Sequence, residues 1–472
     1  MLRPSALPAS PETVELDIES PQTLPPGPAE EKRSERPGPV AWFRDLFAYR
    51  GFLALCDQGV VSVGNFLTGL ALGRLVGKSE LGLYALCWTI VSSTVDLSGA
   101  LTTTPYTVFG PHMNDSRRRL YVGNMFLLHC AISMAAAFFL AVGAGILTPE
   151  RTVPGMMRAL ITTAAVLTLL NTREFVRRIC FADMRVAMAL ALDVIFTTVH
   201  LVGLMVLWRK GALNASAVYI LLGAVSLGHS ATWLLLYRSK ISLGQGWWAE
   251  GRKNWRFAKW VLGSALLWTL ATYLYPWLLN AYHGTVSAGL WASCAAIVAV
   301  GNPVLGGLVN YLGPKLSTLY ARSGLDSMTK YVYKSSLLLV LMLSPFAIVL
   351  SIWGSRIMTS LYGPSYAGTQ TILILLSLNL LALSFSQPYS RGLFTLAAAK
   401  ADTLVNVMAV ALLFSVGVMA VKFYSVQGAA AALLLSTFAT AAVRVAAFKR
   451  TAGSARLRAT LPQPEIAAAS GT

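Results

Sequence analysis

Twelve stretches of this chain are apolar over about the length needed to cross a bilayer, and nothing else in it constrains the fold so tightly. They lie near 52–76, 83–109, 121–147, 155–172, 186–208, 214–237, 258–281, 288–312, 333–353, 369–390, 402–421 and 426–448. A membrane-crossing helix needs roughly 20 apolar residues in a row. The runs are continuous rather than alternating, which speaks against a barrel of strands. The chain is 55% hydrophobic and only 12% charged, where a soluble domain carries about a quarter charged residues. The expected fold class is an all-α integral membrane protein with about 12 transmembrane helices.

The net charge of +18 follows this layout. An even number of spans puts both termini on one side. That side holds Arg44 and Arg50, the run Arg117–Arg119, then Arg173, Arg177, Arg178 and Arg185, and later Lys449 and Arg450. Arg444 falls in the same inner group, while the opposite side has far fewer cations, among them Arg74, Lys78, Arg158 and Lys422. The positive-inside rule then places both termini in the cytoplasm. The basic charge reflects topology and contact with anionic lipids, and no nucleic-acid partner is expected.

Residues 1–40 are rich in Pro, Ser and Glu and are expected to form a disordered cytoplasmic tail, as is 451–472. No charged start joined to an apolar run marks a signal peptide. Five cysteines form no CxxC pair, which argues against disulfide stapling and a zinc site. No cofactor motif appears, so neither metal nor cofactor is expected. No connection is long enough to fold as a catalytic domain, and the chain is not expected to be an enzyme.

The longest connection, 239–257, divides the spans six and six. It carries Trp247, Trp248 and Trp255 among basic residues, which suits a cytoplasmic segment lying in the membrane interface. The expected units are an N-lobe at 41–238 and a C-lobe at 258–450. Gly77, Gly82, Leu83, Ala85, Cys87 and Gly99 recur as Gly284, Gly289, Leu290, Ala292, Cys294 and Gly306, all at an offset of 207. Six spans per half is an even number, so the repeat is parallel, about an axis along the membrane normal.

The string from Gly73 to Ser79 resembles a phosphate-binding loop, but three residues separate its glycines where that loop needs four. Gly69, Gly73 and Gly77 share a helix face and are read as close packing or as a flexible external helix end. Polar residues within spans are costly and often functional. Gln58, Ser62 and Asn65 lie on one face of the first span. Ser92, Asp96, Gly99 and Thr103 align on the second, and Asp193, Thr197 and His200 on the fifth. Thr269, Tyr273 and Asn280 align on the seventh, and Asn302 and Asn310 on the eighth, where Pro303 breaks the helix. These faces either line a wet space between the lobes or pair with neighbouring helices for structure. Asp96 is the foremost candidate for ion coupling, because an isolated carboxylate in a low-dielectric site takes up a proton readily. Asp57 and Asp193, nearer the inner ends of their spans, either share that role or pair with Arg50, Arg185 or a similar cation. His129 and His229 read as satisfied core histidines. Arg173, Arg177 and Arg391 have two readings: inner-side charges tied down by salt bridges, or contacts for a phosphate group.

The pattern Asp57-Gln58-Gly59, Asn65, Gly73 to Gly77 and Glu80 to Leu86, followed by Arg173-Glu174-Phe175 and Cys180 to Asp183, resembles the Wzx-type oligosaccharide flippases and related polysaccharide-biosynthesis membrane proteins. These share a superfamily, MOP, with MATE drug antiporters and lipid II flippases. The resemblance is clearest over roughly 50–200. It implies two six-helix lobes around a central cavity in the bacterial inner membrane. It also implies movement of a polyprenyl-pyrophosphate-linked oligosaccharide to the external leaflet, driven by an H⁺ or Na⁺ gradient. Polysaccharide polymerase or assembly proteins are the implied partners. Two other readings stand beside it: a MATE-like exporter of small cations, and a non-transporting scaffold for glycan assembly.

Overall fold

A computed structural model of the chain describes residues 49–110, 113–147, 155–242, 244, 246–396 and 398–460. The expected tails at 1–40 and 461–472 lie outside them. Among the described residues there is no strand. The first lobe has six helices: α1 (Tyr49–Ala71, continued by a π-helical turn at Leu72–Val76), α2 (Lys78–Leu101, continued by Thr103–Phe109), α3 (Asp115–Leu147), α4 (Met156–Ala182), α5 (Val186–Arg209) and α6 (Ala215–Tyr237). The second lobe has α7 (247–283), α8 (285–323, through a 3-10 turn at Ala299–Gly301 just before Pro303), α9 (325–362), α10 (Gln370–Thr395), α11 (399–424) and α12 (426–460).

Ten helical stretches are long and apolar enough to cross a bilayer. Sharp backbone turns at Gly284 and Ser425 divide two of them, which gives the twelve expected spans among the described residues, and a third turn at Gly324 separates α8 from α9. Gly77 (φ 130°, ψ 174°) and Gly284 (φ 78°, ψ 174°) are partners in the 207-residue repeat. Each turns the chain between the first two helices of its lobe, in a region of φ that a Cβ disfavours.

Within the first lobe, α1 lies against α5, and α4 sits between α3 and α6. In the second lobe, α10 packs on α9 through Gly354 and on α12 through Gly392. The lobes meet mainly where α2 touches α7 and α8. An aromatic cluster of Tyr106, Tyr121, Phe175, Trp233 and Tyr237 fills the end of the first lobe at which α1 begins.

Three boundaries differ from expectation. α4 runs to Ala182 rather than stopping near 172, because Glu174 at i−4 from Arg178 and i−3 from Arg177 keeps the charged turn helical. α7 already begins at Trp247, so the connection shortens to 238–246. α12 runs through 460, so the first ten residues of the expected tail at 451–472 are helical.

Candidate functional site

Because α4 is long, it carries Arg173, Arg177 and Arg178 back against the carboxylates of α1, α2 and α5. The Arg177 guanidinium donates to Asp57 Oδ2 at 2.7 Å and to Asp193 Oδ2 at 3.0 Å. Its Nη1 lies 3.5 Å from Glu174. Arg173 donates to Asp193 Oδ1 at 2.6 Å, and its guanidinium lies 3.8 Å above the centre of the Phe196 ring. Arg178 reaches Asp96 Oδ1 at 3.3 Å and Glu174 at 3.4 Å. The side chains of Asp57 and Asp193 are fully buried. The imidazole of His229, on α6, stands 3.8 Å from Asp193.

The acids and the arginines were read from the sequence as separate sets, one for ions and one for phosphate. They form a single network of three arginines and four carboxylates. Asp96 is not the isolated carboxylate expected, since it faces Arg178. Among the described residues Asp57 and Asp193 pair with Arg177 and Arg173 rather than with Arg185, because an unpaired charge at this depth is costly. The side chain of Arg50 lies outside those residues. The network is nonetheless incomplete. Asp57 Oδ1, Arg173 Nε and His229 Nδ1 are buried and have no hydrogen-bond partner among the described residues.

α1 divides its polar residues between two faces. Asp57, Gly64 and Thr68 turn toward α5, where Gly64 packs against Thr197 and the Thr68 hydroxyl meets His200 at 2.9 Å. Gln58 and Asn65 are exposed on the other face, and Ser62 is half-buried between them. Gln58 and Thr103 line a cleft of about 490 Å³ together with Thr107, Glu174, Arg177 and Arg178. Tyr273 on α7 sits beside Ser92 and Asp96. Thr269 Oγ1 and Asn280 Oδ1 are buried without a hydrogen-bond partner among the described residues. Asn302 is exposed, and the side chain of Asn310 lies outside the described residues. His129 is a satisfied core histidine, joined to the Asn171 carbonyl at 3.0 Å and to Thr102 at 3.3 Å.

The cleft lies toward the start of α1 and the ends of α2 and α4. At the opposite end the lobes are pressed together. Gly82 and Gly289, another repeat pair, meet backbone to backbone. A Cβ on Gly82 would strike the Thr285 carbonyl, and one on Gly289 the Lys78 carbonyl, itself the repeat partner of 285. Ser79 and Thr285 share a hydrogen bond of 2.8 Å beside them. Arg74 donates to the carbonyls of Ser360 and Leu361, Lys78 to that of Ser365, and the Tyr366 hydroxyl to Gly73 O at 3.1 Å. The string that resembled a phosphate loop is thus a clasp between lobes.

A second charged cluster escaped the sequence reading. Arg444 on α12, counted there as an inner-surface charge, is only 8% exposed. It donates to Asp402 Oδ1 at 2.7 Å and to Ser386 Oγ at 3.1 Å. Arg391 on α10 is half-buried, with Nε lacking a hydrogen-bond partner among the described residues. It makes no ion pair among them. Asp402 opens α11 as Asp193 lies near the start of α5, so each lobe buries an aspartate on its fifth helix against arginine. That parallel was available in the sequence but is weak without the helix boundaries.

The described residues thus form twelve helices in two six-helix lobes, clasped together at one end, with a cleft in the first lobe toward the other. No protein-family model and no curated protein sequence matches the chain. Solved structures do. An inward-facing multidrug resistance transporter of the MATE family, MOP superfamily, superposes with a TM-score of 0.72 at 10% identity, covering 87% of this chain and 100% of that one. The lipid II flippase MurJ in an inward closed conformation gives 0.68 at 11% identity, covering 89% and 94%. An outward-facing MATE structure gives 0.60 at 10% identity, covering 86% and 95%. The chain has the fold of the MOP-superfamily transporters, and it superposes better on the inward-facing MATE structure than on the outward-facing one.

Proposed function

We propose that this protein is a flippase that carries a polyprenyl-pyrophosphate-linked oligosaccharide from the cytoplasmic to the external leaflet of the bacterial inner membrane, for surface polysaccharide assembly. The observation that carries the reading is the pairing of a sealed end with an open cleft whose wall is a buried arginine–carboxylate network. By the positive-inside rule the cleft faces the cytoplasm, where such a substrate is made. Transport then follows from rocking of one lobe against the other, with the clasp opening as the cleft closes.

The charge count suggests how an ion drives the cycle. Four carboxylates against three arginines leave the network formally one negative charge in excess, which repels a pyrophosphate. Loading H⁺ or Na⁺ onto Asp57 and Asp193 reverses that excess and frees Arg173 and Arg177 to donate to phosphate oxygens. Ion and substrate binding then favour one another, as any linked pair must do reciprocally. Arg391 supplies the cation on the other lobe, because it makes no ion pair among the described residues. The lipid tail stays in the bilayer while the sugars lie against Gln58, Asn65 and Thr103.

A deletion strain tests this. Surface glycan should be lost, and lipid-linked oligosaccharide should accumulate facing the cytoplasm. Intact surface glycan with heightened sensitivity to cationic drugs would refute the proposal in favour of a small-molecule exporter. Full export by a strain carrying Asp57→Asn, Asp96→Asn and Asp193→Asn together would refute the coupling scheme alone.

A further inference from the structure

A recess of about 140 Å³ opens on the same end of the first lobe as the cleft, and it shares no residue with it. Its back wall is locked. Asp183, in the turn between α4 and α5, accepts from the Tyr106 hydroxyl at 2.6 Å, from the Tyr237 hydroxyl and from Arg118. Arg118 also donates from Nε to the Tyr106 oxygen at 2.9 Å. These four side chains satisfy one another and are held on the aromatic cluster below.

The front wall is not satisfied in this way. Arg119, Arg185 and Lys240 are exposed around the opening, and Asp115 is the one carboxylate left to face them. None of the three makes an ion pair with another described residue. Arg185 is held over the Tyr237 ring at 4.9 Å, and Ser242 N donates to the Arg119 carbonyl at 3.1 Å, which fixes the α6–α7 connection beside it. Three cations on three separate helix ends thus converge on one hole.

Its depth tells what fills it. Trp247 packs against the aromatic cluster beneath the recess, and Trp248 beside it is 62% exposed. Tryptophan in that setting marks the level of the lipid headgroups. Basic pockets between helices on the cytoplasmic side take up phosphate headgroups. We propose that this recess binds the phosphate ester of an anionic phospholipid, with Arg119, Arg185 and Lys240 as its donors and the Asp183 network as its rigid floor.

The test uses the full-length protein in detergent, with native mass spectrometry against phosphatidylglycerol and phosphatidylcholine, and inorganic phosphate as competitor. Each cation near a phosphate is worth about fivefold in affinity. The Arg119→Gln, Arg185→Gln, Lys240→Gln variant should therefore bind phosphatidylglycerol about a hundredfold more weakly and phosphatidylcholine unchanged. A charge-keeping variant, Arg119→Lys, Arg185→Lys and Lys240→Arg, should retain preference for phosphatidylglycerol. All three positions are exposed, so both variants fold. Equal binding of the two lipids, or undiminished phosphatidylglycerol binding by the glutamine variant, overturns the site. Displacement of phosphatidylglycerol by millimolar inorganic phosphate overturns the lipid assignment in favour of a soluble phosphate ligand.

Discussion

Replacing Arg177 by glutamine removes the one guanidinium that holds Asp57 among the described residues. Asp193 keeps Arg173 after the change, but Asp57 is fully buried, pairs with Arg177 and already has one oxygen without a hydrogen-bond partner among the described residues. Breaking a buried pair from one side costs about 3–5 kcal/mol, most of it the exposure of the surviving charge to a medium that cannot solvate it. Removing the carboxylate instead is milder. After Asp57→Asn, Arg177 still reaches Asp193 and Glu174, so the loss should be about 1–2 kcal/mol. The double variant should be more stable than Arg177→Gln alone, because the orphaned charge is gone. In nanodiscs, thermal unfolding followed by tryptophan fluorescence should fall on the order of 6–10 °C for Arg177→Gln at about 2 °C per kcal/mol. The double variant should recover part of that fall. A single variant as stable as the wild type, or a double variant no better than Arg177→Gln, would show that Asp57 and Arg177 are not coupled as their 2.7 Å contact implies.

Gly82→Leu should wedge the clasp, since its side chain must enter the space of the Thr285 carbonyl. Overpacking of about 1–3 kcal/mol should part the seam, and the cross-linking yield of a Ser79→Cys, Thr285→Cys pair should drop. Arg74→Ala should lower the same yield by less, because its bonds to Ser360 and Leu361 are exposed. Arg444→Gln should lose several kcal/mol of stability by stranding buried Asp402. Arg391→Gln should leave thermal unfolding nearly unchanged yet abolish glycan export, the opposite pattern. Tyr237→Phe should cost about 1 kcal/mol in the same melt, as Asp183 loses one of its donors.

The spans were legible because length and continuous apolarity suffice to find them. The repeat was legible from six matches, and its meaning is now concrete: Gly77 and Gly284 are the two lobe-opening turns, and Gly82 and Gly289 are the contact across the seam. The candidate acids were found because a carboxylate inside a span stands out against its surroundings. Their partners were missed for a matching reason. Residues 173–182 read as a loop by hydropathy, and only the helix continuing through Ala182 swings those arginines under the lobe. Arg444 was misplaced likewise, because a span's last turns and its cytoplasmic flank look alike without a helix end to separate them. The clasp was hidden altogether, since Arg74 and Lys78 act on backbone carbonyls that leave no mark in the sequence.

The order of charges along the chain has a consequence for biogenesis. Asp57 enters the insertion machinery 120 residues ahead of Arg177. An aspartate at the centre of an inserting helix costs about 2.5–3.5 kcal/mol, and one nearer the end, as Asp57 is, costs less. α1 and α2 thus wait with unmatched acids at the edge of the translocon until α4 emerges, and the first lobe is released as a unit. Asp402 waits only 42 residues for Arg444. Truncating the nascent chain before α4 should leave α1 and α2 carbonate-extractable, whereas a stop after α6 should leave them embedded.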